Sequence, residues 1–264
     1  MIILVTGTSS GFGAEIRRHL QMAGHTVYGS SRKAVADDPY MLHFDVTNYN
    51  AVKSGVETVI EREGHIDVLI NNAGMGIGGA AELATEDEVR RQIDTNFIGM
   101  TNLCRAVLPT MRANRSGRVI NISSVAGRFA VPFQGLYSAS KFAIEGYSQA
   151  LQLETFPLGI KVICVNPGDF NTGFTKARLI SQPTMECTDY NVSFRRVLKN
   201  IEHDEQHGGT PDMLARKIVK IVASRHPRFH YVVAKDPIQP FAVYMSAILP
   251  KRFFFRLVRM FYNC

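Results

Sequence analysis

Tyr137 and Lys141 stand four residues apart in the stretch YSASK, with only small residues between them. On a helix, positions i and i+4 share one face, so this spacing lays a phenol beside an ammonium. A free tyrosine titrates near about 10, and a neighbouring cation favours its phenolate. Such a phenol is suited to general acid–base work near neutral pH. An ordinary helical tyrosine followed by a surface lysine has the same spacing, so the pair gains meaning only from what surrounds it.

A second group of residues points to phosphate. The apolar run MIILVT is followed at once by TGTSSGFG, in which Gly7, Gly11 and Gly13 permit a tight turn and close backbone approach. A helix starting there, among Ser9, Ser10 and Phe12, presents free N–H groups and a positive dipole end to a pyrophosphate. The spacing is G-x3-G-x-G, not the commoner G-x-G-x-x-G, and a glycine turn after a strand can also be purely structural. The run HTVYGSS ends at Ser31, Arg32 and Lys33, where an NAD-selective site places an acid on the ribose 2′-hydroxyl. Cations there suit a 2′-phosphate, so the expected cofactor is NADP(H), with Asp37 and Asp38 close by in sequence.

The elements that must position these groups follow from periodicity. Runs rich in Val and Ile (MIILVT, HTVYGSS, MLHF, IDVLI, GRVINIS, IKVICV and FHYVVA) alternate with stretches of helical periodicity. Strands without polar alternation, joined by helix-length connectors, imply a parallel sheet covered on both faces. The predicted fold class is α/β, a doubly wound, Rossmann-like parallel sheet in one domain over residues 1–264. Residues 170–209 read as one long irregular segment, the expected lid over a substrate site. Cys104, Cys164, Cys187 and Cys264 share no metal-ligand spacing, so no metal site is expected and the thiols read as reduced, in a cytoplasmic protein. The net charge of +7 is carried by the last part of the chain: from Leu214 onward ten Lys or Arg face one acid, Asp236. The body is therefore slightly acidic, which argues against nucleic acid as a partner.

TGTSSGFG, NNAG at Asn71 to Gly74, NISS at Asn121 to Ser124, YSASK, and NPGDFNT at Asn166 to Thr172 follow one another in the order and spacing of the short-chain dehydrogenases/reductases. The chain resembles that family, and most nearly its branch of 17β-hydroxysteroid and retinol dehydrogenases. The resemblance implies an oxidoreductase moving hydride between a nicotinamide and a carbonyl or alcohol. It implies that Tyr137 is the acid or base, that Lys141 supports it and reaches the nicotinamide ribose, and that Ser124 bonds the substrate oxygen. Ser123 competes for that last role, but strand alternation sends the two side chains to opposite faces. Asn96 matches the asparagine that ties a water to the lysine, although an asparagine there could also serve a helix backbone. Cofactor contacts carry over to Asp45 and Val46 at adenine, Asn72, Ala73 and Gly74 beside the adenosine ribose, Pro167 and Gly168 against the nicotinamide, and Thr172 on its carboxamide. Phe12 departs from the family's usual Ile or Leu.

The substrate is the less defined part. Met75, Val125, Phe133, Phe170 and Phe174 form a candidate pocket rim with few charges, which suits a sterol, retinoid, long-chain aldehyde or ketosphingoid base. A catalytically marginal cofactor-binding regulatory protein or membrane-surface interaction protein on the same fold is the alternative reading. Apolar faces on the helices around Asn96–Met111 and Tyr137–Phe156 predict a homodimer or homotetramer. The tail, residues 237–264, ends in KRFFFRLVRMFY, which on a helix sets Arg252, Arg256 and Arg259 in one stripe with aromatics and aliphatics around the rest. That helix is expected either to close the substrate pocket or to lie in a membrane surface as a peripheral contact.

Overall fold

The Val- and Ile-rich runs become parallel strands because both of their faces are covered, so no polar alternation is needed. The computed structural model describes residues 1–33 and 38–264. In chain order its strands are β1 (Ile2–Thr6), β2 (Thr26–Ser31), β3 (Met41–His43), β4 (Val68–Asn71), β5 (Ile77–Gly78), β6 (Gly117–Ile122), β7 (Ile160–Pro167), β8 (Leu179–Ile180) and β9 (His230–Val233). The helices are α1 (Gly11–Met22), α2 (Tyr49–Glu63), α3 (Glu86–Ile93), α4 (Gly99–Ala113), α5 (Gly135–Thr155), α6 (Phe174–Ala177), α7 (Gln182–Glu186), α8 (Asn191–His207), α9 (Pro211–Ala223), α10 (Ile238–Ile248) and α11 (Lys251–Tyr262).

Seven strands form one all-parallel sheet in the order β3-β2-β1-β4-β6-β7-β9. Helices α2, α4 and α5 bury Val52, Leu103 and Ile144 against one face, with Leu4, Leu69 and Val119 turned toward them. Helices α1 and α9 bury Ile16, Leu20 and Ile218 on the other, against Ile3, Ile70 and Ile163. Chain order reverses between β1 and β4, and in doubly wound sheets that switch point opens a crevice at the strands' carboxyl ends. All seven runs expected as strands are strands of this sheet.

The segment 170–209 differs from the expected irregular lid. It holds α6, α7 and the 17-residue α8, plus β8, which pairs with β5 in a separate two-stranded sheet. Phe194, Val197 and Ile201 form the buried stripe of α8, spaced three and four residues apart as a helix requires. Basic and acidic residues between them lower the overall apolarity and hide the stripe.

Candidate active site

The first glycine turn puts the α1 amino end at the mouth of the crevice. Gly7 and Gly11 have φ of 70° and 56°, a region that side chains with a Cβ rarely adopt, and the Ser10 side chain caps no α1 N–H group. A Cβ on Gly11 would meet nothing closer than the Thr172 Cβ at 3.9 Å, so space for a phosphate is kept above the turn. The turn is locked from β4: Asn72 Nδ2 donates to Thr6 O at 2.8 Å and Gly7 O at 3.2 Å, while the Asn72 and Ala73 N–H groups donate to Thr6 Oγ1 at 3.0 Å.

The crevice deepens into one cavity of about 690 Å³. Ser9, Ser10, Phe12, Ser31, Arg32, Asp45, Val46, Asn72, Ala73 and Gly74 line one half; Pro167, Gly168 and Thr172 stand at its centre. Phe12 is held edge-on by Phe170 at 5.0 Å between ring centroids. Three residues expected at the cofactor or the catalytic group fall outside the lining: Lys33, which is exposed beyond β2, Gly13 and Asn96. Gly13 packs against the turn instead, where an added Cβ would meet Gly7 O at 2.2 Å, so its smallness serves the approach of α1. Asn96 lies behind the site: its Oδ1 accepts from Met75 N at 2.8 Å, and its Nδ2 donates to Met75 O and to Ser140 Oγ, both at 3.0 Å. It sits in a π-helical turn, Asp94–Ile98, between α3 and α4. Asp38 is paired with Arg17 at 2.8 Å, and Asp37 lies outside the described residues. A free helix amino end and the open cradle above the turn fit the pyrophosphate of a dinucleotide.

Tyr137 and Lys141 project from the first turns of α5 into the centre of this cavity, with the ammonium 5.6 Å from the phenol ring centroid. The serines Ser138 and Ser140 make the close packing of this turn, whereas Ala139 faces outward. Lys141 Nζ donates to Ile122 O at 2.8 Å. Burial pushes its pKa down to about 8, against the pull of Glu145 one turn along α5. Glu145 is itself buried: it accepts from Asn166 at 2.6 Å and is bonded to His230 at 2.8 Å, with Arg128 beyond. Ser124, at the end of β6, accepts from Ala126 N at 3.1 Å and donates to Pro167 O at 3.5 Å, and it lines the same cavity as Tyr137. Ser123 turns the other way, toward Glu145, as strand alternation requires.

The expected lowering of the Tyr137 pKa is reversed in the protein alone. Burial pushes the phenol up to about 12; the nearby Ser124 hydroxyl opposes this, and Glu205 and Asp169 add to it. At neutral pH the group is therefore a protonated phenol, a donor and not a base.

A model of the family described as short chain dehydrogenase matches residues 1–182. The chain is also 51% identical over 263 residues to the 3-ketodihydrosphingosine reductase of Bacteroides thetaiotaomicron, covering 99% of this chain and 97% of that one. It belongs to the short-chain dehydrogenase/reductase family. It is thus an oxidoreductase of a nicotinamide-using family. A probable short-chain type dehydrogenase/reductase, VdlC, of Helicobacter pylori is 31% identical, over 97% of this chain and 96% of its own. A crystal structure of a short-chain dehydrogenase from Streptomyces avermitilis superposes with a TM-score of 0.82 at 32% identity, covering 94% of this chain and 92% of that one.

The second half of the cavity in this family member was only partly foreseen. Met75, Val125, Phe170 and Phe174 line it as expected; Phe133 does not, because it packs among Tyr190 and Phe194 beneath α8. Ile201 and Glu205 of α8, Gln239, Phe241 and Met245 of α10, and Phe254, Leu257, Phe261 and Tyr262 of α11 complete the wall. Phe254 is buried edge-on against Phe129 at 5.5 Å. Two acids stand in this apolar chamber. Glu205 is paired with Arg178 and accepts from Thr175 at 2.6 Å. Asp169 is answered by the Gln239 amide, and burial beside Glu205 and Asp204 pushes it up to about 7. Asp169 was visible inside NPGDFNT, but no spacing in the sequence links it to Gln239, seventy residues away.

Proposed function

We propose that this enzyme uses NADPH to reduce the ketone of a long-chain 2-amino ketone. The observation that carries the proposal is a junction: Tyr137 and Ser124 stand between a cleft suited to a dinucleotide and an apolar chamber that has Asp169 and Glu205 near the phenol. The relative from Bacteroides is named for a ketone of this type, in which an ammonium sits on the carbon next to the carbonyl.

In this reading the α1 amino end holds the pyrophosphate and Ser31 and Arg32 hold the 2′-phosphate. Asp45 and Val46 meet the adenine, and Asn72, Ala73 and Gly74 the adenosine ribose. Pro167 and Gly168 back the nicotinamide, Thr172 holds its carboxamide, and Lys141 reaches its ribose. NADPH, when bound, supplies the hydride that the carbonyl carbon receives. Ser124 donates to the carbonyl oxygen, and Tyr137 gives that oxygen its proton, leaving a phenolate that the Lys141 ammonium stabilises until solvent restores the proton. The neutral phenol of the protein alone is the protonation state that reduction needs. Asp169 receives the substrate ammonium, which also removes the negative field that opposes phenolate formation.

Self-association belongs to the same proposal. Phe142 and Leu153 lie exposed along one stripe of α5 with Ala139 and Gly146, and Phe156 and Ile98 are exposed beside them. Long-chain ketones reside in lipid, so peripheral contact with a membrane through the C-terminal helices accords with this substrate class. The proposal is tested by following NADPH absorbance with a series of ketones. Turnover of a long-chain 2-amino ketone in preference to sterols and retinoids supports it; turnover of those alone rejects the substrate.

A further inference from the structure

Helices α10 and α11 wall the chamber with one side and leave the other side in water. Phe241, Tyr244 and Ile248 form a stripe on α10 at i, i+3 and i+7; Phe253, Leu257, Met260 and Phe261 form the corresponding arc of α11. These seven side chains are between 41% and 70% exposed. Isolated exposed hydrophobics are ordinary, but seven large ones on two successive helices form a patch of the size that marks an interaction surface. Three of the seven, Phe241, Leu257 and Phe261, also line the chamber, so apolar surface runs from the pocket wall to the outside without a polar break.

Charge decides what covers this surface. Lys251, Arg252, Arg256 and Arg259 are all exposed, and no acid follows Asp236. Around α11 the three arginines fall on one flank of the helix and the apolar arc on the other, the layout of a helix lying at a lipid–water boundary with cations at the headgroups. A second copy of this chain seated on the same face would bring two sets of four cations together, whereas anionic headgroups complement them. No helix is long and apolar enough to cross a bilayer among the described residues, so the attachment is to the surface. From this we infer that the outer face of α10 and α11 docks on an anionic phospholipid bilayer and that the chamber opens through it, drawing its ligand from the lipid. The docking stands on the surface alone; the portal rests on the reductase reading given above.

The test uses the full chain with vesicles of phosphatidylglycerol and phosphatidylcholine, and with phosphatidylcholine alone, at physiological ionic strength. The protein is expected to sediment with the anionic vesicles. A Phe253→Ser/Met260→Ser variant, whose changed residues do not line the chamber, and an Arg252→Glu/Arg256→Glu variant should each bind at least about tenfold more weakly. NADPH affinity measured in solution should be unchanged in both, which shows that they are folded. Wild type that stays in the supernatant, or variants that sediment equally, overturn the docking. So does light scattering in which the variants dissociate a dimer that ignores vesicles, since a second copy would then be the occupant. For the portal, wild type should outpace Phe253→Ser/Met260→Ser at least about fivefold on a long-chain ketone dissolved in the vesicles and match it on a short soluble ketone. Equal rates on both substrates overturn the portal. Vesicle binding without turnover of any ketone overturns the reductase reading and leaves the docking intact.

Discussion

Replacing Asp169 with Asn keeps the side chain's shape and its bond to Gln239 but removes the charge proposed to meet the substrate ammonium. Burial beside Glu205 and Asp204 pushes this carboxyl from 3.8 to about 7. At about 1.4 kcal/mol per pH unit, the ionised form is on the order of 4 kcal/mol less favourable here than in water. That net cost already includes the opposing pull of Gln239 and Arg178, and a substrate cation would offset part of it. A hydrogen bond between charged groups contributes about 1.5 to 3 kcal/mol, so Asp169→Asn should lower kcat/KM for a long-chain 2-amino ketone by about tenfold to a hundredfold. For a ketone of the same length without the amine the change should stay within about threefold, because no ion pair is lost. The assay is NADPH consumption by both substrates with both proteins. An equal loss on the two ketones, or no loss on the amino ketone, would refute the role of Asp169.

Three further outcomes follow from the site. Arg32→Ala should weaken NADPH binding at least about tenfold and leave NADH nearly unchanged, and Ser31→Asp/Arg32→Ala should reverse the preference, as read by fluorescence titration. Lys141 titrates near about 8 with Glu145 holding it up, so Glu145→Gln should lower its pKa further. The alkaline fall in kcat/KM should then move to lower pH by about one unit, provided a melting curve shows the variant folded. Light scattering should show a species larger than the 29.4 kDa chain, and Leu153→Asp/Phe156→Asp should reduce it to that mass.

What could be read from residues alone divides along physical lines. The seven strands were legible because a doubly covered strand must be continuously apolar, and the runs containing Ile3, Ile70 and Ile163 could be little else. Ser124, Tyr137 and Lys141 were legible because their chemistry depends on type and spacing within short segments, and the cavity does bring them together. Gly13 was grouped with the phosphate contacts because a glycine's spacing does not say whether it clears room for ligand or for packing. Helix α8 was missed because charged residues dilute the stripe of Phe194, Val197 and Ile201. The raised pKa of Tyr137 in the protein alone could not be read from its spacing to Lys141, because its largest cause is burial, which only the folded chamber supplies. The acid end of the chamber joins Asp169, Glu205 and Gln239 from three distant segments, and only tertiary structure reveals such a convergence.

The most direct test of the account is turnover of a long-chain 2-amino ketone by wild type and by Tyr137→Phe, with NADPH binding measured on both. Wild type should consume one NADPH for each ketone reduced. Tyr137→Phe should bind NADPH as wild type does and turn over at least about a hundredfold more slowly, the usual contribution of a positioned proton donor. Equal turnover by the two proteins, or a wild type that binds NADPH yet reduces no such ketone, would contradict it.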